Sequence, residues 1–459
     1  MKKISLFSLV MLIVAAIDSI RNLPASSVFG TQLIFFFLFS ALVFLLPVAL
    51  CSAELAAKDG SKGGIHNWVL KAFGEKWAMV AIWLQWVNTI VWYPTILSFI
   101  AATIAYLINP ELAQSRYFLM SITTLIFWLV TLINLKGIHF TVKINSLSAT
   151  FGTVIPMVLL IGLGLIWYFK DHNSQITFTI HNLVPEFHNP GHWVSLVAIM
   201  ASFVGMELSG VHIKDIKDPQ KNFPKAVFIS SFFILMTMLL GSLAIAIVVP
   251  VHEISLVSGV MQVFDNFFSH FHLEFLTPIL ALLIVLGSTG GIINWVLSPA
   301  KGLAEAAELG YLPKRLLKTN KHGIAYPILL IQAIAVTCFC ALFMFIESIN
   351  SFYWFLTALS TELYMFMYVL MFLAAYKQRH VRAVGRKTFE IPGNSWGKIL
   401  VVTTGLFGCC LTIFISFFPP ETLKLSSLTS YGLWIALGNV VTLAPLWLFF
   451  RHKKKSGSF

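Results

Sequence analysis

Apolar residues fill this chain in long unbroken blocks, not on one face of a helix or on the alternate positions of a strand. Leu33 to Leu50 reads LIFFFLFSALVFLLPVAL without a single charge. As a helix it would reach about 27 Å, close to the roughly 30 Å hydrocarbon core of a bilayer. Comparable blocks recur near 5–28, 31–52, 77–107, 117–135, 146–169, 193–212, 226–250, 275–299, 325–346, 351–376, 398–418 and 429–450. The pattern predicts an all-α membrane protein of about twelve transmembrane helices, numbered here as spans 1 to 12. Lipid cannot satisfy exposed backbone groups, and the blocks lack the alternation of barrel strands.

Composition agrees. Of 459 residues, 58% are hydrophobic and 11% charged, against about 25% charged in soluble proteins. So few charges cannot clothe a water-soluble globule of this size. The net charge of +12 by itself suggests an acidic polymer as partner, but its distribution argues otherwise. With the N-terminus inside, 27 of the 31 Lys and Arg fall in cytoplasmic loops and tails. Arg116, Lys170 and Lys424 fall outside, and Arg21 lies within span 1. This is the positive-inside bias. It predicts an even number of spans, both termini cytoplasmic, residence in a bacterial cytoplasmic (inner) membrane, and no nucleic-acid partner. The opening MKKISLFSLVMLIVAA also has the form of a signal peptide. Its removal would leave eleven spans and put the next loop on the wrong side, so it is read as span 1.

Cys51, Cys338, Cys340, Cys409 and Cys410 all fall in apolar runs without metal-ligand spacing, and are read as packing residues. No cofactor is expected. His172, His181, His188, His192, His252, His270 and His272 collect on the outer side. They either charge as that side acidifies or simply fill polar loops. No phosphate-binding Gly-Lys-Ser/Thr motif, HExxH or nucleophile elbow is present, so an enzyme is not expected. The Gly287-Ser-Thr-Gly-Gly291 run lies inside span 8 and suits close helix packing.

Two spans differ from the rest. Span 1 is interrupted by Ala16-Ile17-Asp18-Ser19-Ile20-Arg21-Asn22-Leu23-Pro24, and span 6 by Gly205-Met206-Glu207-Leu208-Ser209-Gly210. Interrupted helices at matching positions of two inverted repeats form the substrate site in many transporters. The expected division is 1–170 (spans 1–5), 193–377 (spans 6–10) and 397–459 (spans 11 and 12 with a short basic tail). The stretch 251–272 between spans 7 and 8 is expected to be a short helix on the outer face, either a lid or an ordinary interfacial helix.

Ionisable groups within a membrane cost about 2.5–3.5 kcal/mol each at its centre, so Asp18, Arg21, Glu207 and Glu362 are functional candidates. Asp18 and Arg21 are three apart, which suits an ion pair holding the broken helix. Alternatively, Arg21 and the free amides around Ser19 to Asn22 meet a substrate α-carboxylate. Glu207, with unwound carbonyls around it, suits a substrate ammonium or a transported proton, or is satisfied by a neighbouring helix. Glu362 either faces the pathway or caps a polar network. Trp92, Tyr93, Trp295 and Tyr364 either wall a cavity or pack between helices. The candidate substrate-binding set is therefore Ile17, Asp18, Ser19, Arg21, Asn22, Gly205, Glu207, Gly210, Trp295 and Glu362.

Longer stretches carry a family likeness. They include Pro47-Val-Ala-Leu-Cys-Ser-Ala-Glu54, Gly205-Met-Glu207 leading to Asp218-Pro-Gln-Lys-Asn-Phe-Pro224, Gly241-Ser-Leu-Ala-Ile-Ala-Ile-Val-Val-Pro250, Gly259-Val-Met-Gln262, Trp295-Val-Leu-Ser-Pro299, Asn320-Lys-His-Gly323, Ile391-Pro-Gly393 and Phe418-Pro-Pro420. On these the chain resembles the amino acid–polyamine–organocation superfamily and, within it, the glutamate/γ-aminobutyrate antiporter family. The resemblance implies a LeuT-like five-plus-five inverted repeat with two additional helices, and exchange of one amino acid for a related one. It also implies that the breaks of spans 1 and 6 hold the substrate's backbone groups. The charged Asp18–Pro24 break departs from the glycine- or tyrosine-bearing breaks of that family. With nine residues after span 12, the tail gating of some members is not expected.

The function expected is a secondary amino-acid antiporter without ATP, working by alternating access on small-molecule amino-acid substrates such as glutamate. Paired with a decarboxylase, such exchange would consume cytoplasmic protons. The alternatives are a proton-coupled amino-acid importer and a membrane amino-acid sensor. No membrane lysine offers a fixed proton carrier, which favours exchange.

Overall fold

The structure is a computed structural model that describes residues 4–59, 64–136, 150–170, 174–185, 193–207, 216–345, 348–380, 389–420 and 428–455. Among the described residues ten helices are long and apolar enough to cross a bilayer. They fall on spans 2–5 and 7–12. The two missing from that set are the two whose sequence is interrupted.

Span 1 is α1 (Leu6–Ile17) followed, after a break, by α2 (Leu23–Ser27). Span 2 is α3 (Leu33–Ser40) and α4 (Leu46–Asp59), joined by a π-helical turn at Ala41–Leu45. Pro47 accounts for that turn, because its ring excludes the carbonyl four residues back and it offers no N–H. Spans 3 to 5 are α5 (Glu75–Ile108), α6 (Arg116–Leu135) and α7 (Ile155–Lys170). Span 6 begins as α8 (Ser195–Ser202) and span 7 is α9 (Pro219–Val248). The short α10 (Gly259–His270) precedes span 8, α11 (Leu276–Glu308). Spans 9 to 12 are α12 (Tyr326–Ala341), α13 (Ile349–Lys377), α14 (Asn394–Ile415) and α15 (Leu428–Lys455). Among the described residues β-structure is limited to two isolated bridges.

Burial sorts these helices into a centre and a rim. In α5, 78% of the most apolar 18-residue stretch is buried inside the protein; in α15 the share is 11%. Accordingly α5 packs against α11 and α13 at the middle of the bundle, while α15 turns most of its side chains outward. α10 is amphipathic, burying Val260, Val263, Phe264 and Phe267 while Asp265 and Asn266 stay exposed. It rests directly on α2: a Cβ on Gly259 would lie 3.0 Å from Pro24. The short helix expected on this face therefore exists and touches one of the broken spans. At the opposite end of span 1, Ile4 and Ile216 form a parallel bridge. The Lys217 amide donates to the Ile4 carbonyl at 3.1 Å.

The side where α4, α13 and α14 end or begin is fastened by charge. The buried Glu54 carboxylate lies 2.5 Å from Lys58 and 3.1 Å from Lys398, and accepts the Ile391 amide at 2.8 Å. Lys58 also donates to the Gln378 carbonyl at 2.9 Å. Every charge of this cluster has a partner of opposite sign, which burial requires.

Candidate functional site

The break of span 1 has a local cause. Asp18, Ser19 and Asn22 offer side-chain partners that compete with helical hydrogen bonding, and Pro24 cannot donate to the carbonyl of Ile20. The backbone is extended at Asp18 (φ −67°, ψ 113°) and Ser19 (φ −139°, ψ 115°), then resumes as a 3₁₀ turn over Ile20–Asn22. Span 6 breaks after Ser202. Gly205 has φ of +111°, a conformation that L side chains rarely adopt. Its Cβ position would also lie 3.4 Å from the Trp295 ring.

A cavity opens where the two breaks meet, with about 820 Å3 of space free of protein atoms, counting the solvent at its mouth. Span 1 contributes a continuous strip, Ile17 to Asn22. Span 6 contributes Ala201 and Val204, α5 contributes Asn88 and Trp92, and α11 contributes Ser288, Gly291 and Trp295. α13 adds Ser360, Thr361 and Tyr364. Thr153 and Gly287 lie on the wall where spans 5 and 8 come into backbone contact: a Cβ on Gly287 would fall 2.4 Å from the Gly152 Cα.

Asp18 and Arg21 are both buried in this wall, and they do not pair with each other. The Asp18 Oδ2 accepts from the Thr237 hydroxyl at 3.0 Å, and its Oδ1 has no hydrogen-bond partner. Arg21 Nη1 donates to Thr95 Oγ1 at 2.9 Å and to the Tyr353 hydroxyl at 3.0 Å, and the guanidinium lies 5.2 Å from the Trp92 ring centroid. Arg21 Nε is buried and unpartnered, and among the described residues no carboxylate lies within ion-pair distance of it. The ion pair that their spacing suggests belongs to a continuous helix; the extended backbone at Asp18 and Ser19 removes it. The result is one carboxyl and one guanidinium side chain, both in the cavity wall and neither in an ion pair.

Of the other expected site residues, Ile17, Ser19, Asn22 and Trp295 line the cavity. Glu207 does not. It lies behind the wall, where Tyr364 donates to its Oε1 at 2.7 Å and Tyr368 donates to its Oε2. The Tyr368 hydroxyl also accepts the Gly205 amide at 2.9 Å. Glu207 and Gly205 therefore build the span 6 break without lining the cavity. Glu362 is displaced as well. It follows the cavity-lining Thr361, and a helix turns about 100° per residue. Its Oε2 accepts from Asn439 of α15 at 2.9 Å. Gly210 lies outside the described residues.

Several wall residues escaped the sequence reading. Asn88 donates to the Ser360 carbonyl at 2.5 Å and to its hydroxyl at 3.0 Å, fixing α5 to α13 beside the cavity. Two amides three residues apart in an apolar span, Gln85 and Asn88, were a readable signal. Thr95 and Tyr353, which hold Arg21, had none. Tyr93 donates to the Trp295 carbonyl at 2.8 Å, and the Trp92 and Trp295 rings are 5.5 Å apart, so Trp92 and Trp295 both wall the cavity and pack, while Tyr93 packs behind them. Among the described residues no group of three or more His, Cys, Asp or Glu is placed to hold a metal ion.

A bundle of apolar helices with two broken members around a shared cavity is the geometry of a solute carrier. Residues 4–443 match the sequence model of the family described as amino acid permease. The chain belongs to that family. The permease is similar over nearly its whole length to transporters of known and unknown substrate. An uncharacterised transporter from Legionella pneumophila is 37% identical over 448 residues, 98% of this chain and 96% of the relative. A glutamate/γ-aminobutyrate antiporter from Lactococcus lactis is 32% identical over 461 residues, 99% and 92% of the two chains. A probable agmatine/putrescine antiporter from the same species is 22% identical over 86% of this chain and 83% of its own. The permease is thus a multi-pass membrane protein of a transporter family.

Proposed function

We propose that this permease is an amino-acid antiporter of the bacterial cytoplasmic membrane, exchanging glutamate for a related amine or amino acid by alternating access. The observation that carries the reading is the pair of ionisable side chains without an ion-pair partner, Asp18 and Arg21, in the cavity wall where both broken spans meet. A zwitterion supplies the missing partner to each: its ammonium suits the Asp18 Oδ1, and its carboxylate suits the guanidinium. The named exchangers among the relatives supply the substrate class.

Under this reading residues 1–170 and 193–377 are the two inverted repeats, and the termini face the cytoplasm with the basic loops. Asp18 takes the ammonium-facing role that the sequence suggested for Glu207. Asn88, Ser288, Ser360 and Thr361 offer neutral polar contacts, while Trp92 and Trp295 cover the apolar part of the ligand. Glu207, clasped by two tyrosines, holds the span 6 break in shape while the helices on either side move.

The test is counterflow in proteoliposomes. Labelled glutamate should accumulate when unlabelled glutamate or γ-aminobutyrate is inside, and should not accumulate in empty vesicles. Accumulation in empty vesicles driven by a pH gradient alone would make the protein a proton symporter and overturn the exchange reading.

A further inference from the structure

The run Trp295-Val-Leu-Ser-Pro299 puts a proline four residues after a cavity-lining tryptophan. In an ordinary helix the amide of residue 299 bonds to the carbonyl of residue 295. Proline has no N–H to give, and its ring crowds that same carbonyl. α11 nevertheless runs through Pro299 as one helix from Leu276 to Glu308. The Trp295 carbonyl therefore needs a donor from outside its own helix.

Neighbouring helices supply one. The Tyr93 hydroxyl of α5 donates to the Trp295 carbonyl at 2.8 Å. One residue on, Gln332 Nε2 of α12 donates to the Val296 carbonyl at 3.4 Å, and the same Nε2 lies 3.5 Å from the Tyr93 oxygen. Tyr93 and Gln332 are both fully buried. Gln332 Oε1 has no hydrogen-bond partner, so the amide is kept in the core for its donor end, leaving an acceptor unused. Packing alone does not ask for these polar atoms. A phenylalanine would fill the space of the Tyr93 ring, whose centroid lies 4.8 Å from that of Phe127.

We infer that Tyr93, backed by Gln332, is a positioning residue: it caps the carbonyl that Pro299 frees and thereby fixes the Trp295 indole in the cavity wall. The carbonyl and the indole belong to one residue, so holding the first sets the second. That indole joins two walls of the cavity. It stands 5.5 Å from the Trp92 ring on α5, and its edge is 3.4 Å from where a Cβ on Gly205 would lie, at the span 6 break. Without the cap, the carbonyl gains a donor only by turning toward the cavity and its water, which carries the indole away from both. Tyr93 does not itself line the cavity, so it acts on a ligand through Trp295. The cap stands on backbone geometry alone. Its effect on transport rests on the exchange reading above, in which Trp295 covers the apolar part of the ligand.

The test is Tyr93→Phe, which removes one oxygen and keeps the ring. Glutamate counterflow in proteoliposomes and melting in detergent would be measured in the native sequence and in a Pro299→Ala background. Tyr93→Phe should raise the glutamate concentration for half-maximal counterflow about tenfold and leave the maximal rate within about twofold. Pro299→Ala restores the amide of residue 299 and gives the carbonyl a partner within α11. In that background Tyr93→Phe should shift half-saturation by less than about threefold. Gln332→Leu, which removes longer contacts, should do less than Tyr93→Phe. An unchanged half-saturation in Tyr93→Phe, even with a lower melting midpoint, would leave the tyrosine a packing role and overturn the inference. An equal effect with and without Pro299 would overturn it too, because the tyrosine would not be acting through the freed carbonyl. If the wild type exchanges no amino acid, the exchange reading fails and melting decides the cap: destabilisation by Tyr93→Phe only where Pro299 is present supports it, and equal destabilisation in both backgrounds overturns it.

Discussion

Replacing Tyr368 by phenylalanine removes one oxygen from the point where span 6 breaks. That oxygen donates to Glu207 Oε2 and accepts the Gly205 amide. Both groups are buried: Glu207 is 1% exposed, and Gly205 is enclosed between Ile17 and Trp295. A hydrogen bond to a charged group contributes about 1.5–3 kcal/mol, and stranding a buried donor costs about 1–3 kcal/mol. Within a bilayer the effect on global unfolding is smaller, about 0.6 kcal/mol per bond, because the unfolded chain there finds other partners. The balance between a held and a released break inside the folded protein has no such substitute partners. The larger figures therefore govern transport: at least about 2.5 kcal/mol, or roughly 70-fold in that equilibrium. Tyr368→Phe should lower the maximal rate of glutamate counterflow more than tenfold while shifting the melting midpoint in detergent by only a few degrees. Tyr364→Phe, which removes a single bond to the same carboxylate, should do less. In a double-mutant cycle Tyr368→Phe and Glu207→Gln should be less than additive, because they share the Tyr368–Glu207 bond, with the tyrosine change still adding the cost of the stranded Gly205 amide. Wild-type counterflow in Tyr368→Phe, or full additivity with Glu207→Gln, would refute the reasoning.

Gly287→Ala places a Cβ 2.4 Å from the Gly152 backbone and should force spans 5 and 8 apart at a cost of about 1–3 kcal/mol; Gly291→Ala, on the same cavity wall but with nothing within 4 Å of its Cβ, should melt like the wild type. Glu54→Leu leaves Lys58 without its carboxylate and Lys398 with only the longer contact to Glu390 at 3.4 Å, and should cost about 3–5 kcal/mol. Lys398→Met leaves Glu54 paired with Lys58 and should cost less, the two being ranked by melting in detergent. Asp265 on α10 has its carboxyl raised above the usual range, first by partial desolvation and then by the negative charge of Glu274. A folded pKa above the unfolded one contributes stability below the unfolded value of about 3.9, and that contribution is lost as pH rises through the folded value. Amide exchange of α10 should therefore slow on acidification toward pH 4, and Asp265→Asn should flatten the response.

The path of the chain through the membrane was legible because burial in lipid writes itself into unbroken apolar runs. Spans 1 and 6 were legible as breaks for the complementary reason: Asp18, Asn22 and Pro24, or Gly205 and Glu207, have no place in an uninterrupted apolar helix. What the runs could not give was the direction of each side chain at a break. Asp18 and Arg21 are spaced to pair on a helix, and they separate only because the backbone between them is extended. Their actual partners, Thr237 and Tyr353, lie 219 and 332 residues away in sequence. Glu207 reads as a membrane carboxylate free to meet a ligand, yet its two tyrosines stand 157 and 161 residues downstream. Glu362 misses the cavity by one helical position. Residue type thus marked the neighbourhood of the site, while long-range packing decided which groups face it.

The central claim is that the strip Ile17–Asn22 is where substrate sits, and alkylation of a single cysteine at Ser19 tests it most directly. Ser19→Cys would be built on a chain in which the five native cysteines, two of them exposed, are replaced. The rate of its reaction with N-ethylmaleimide would then be measured with and without glutamate. Glutamate should slow the reaction in a saturable manner, with half-protection near the concentration that half-saturates counterflow. An alkylation rate indifferent to saturating glutamate, in a variant that still exchanges it, would contradict the placement of the substrate at the span 1 break.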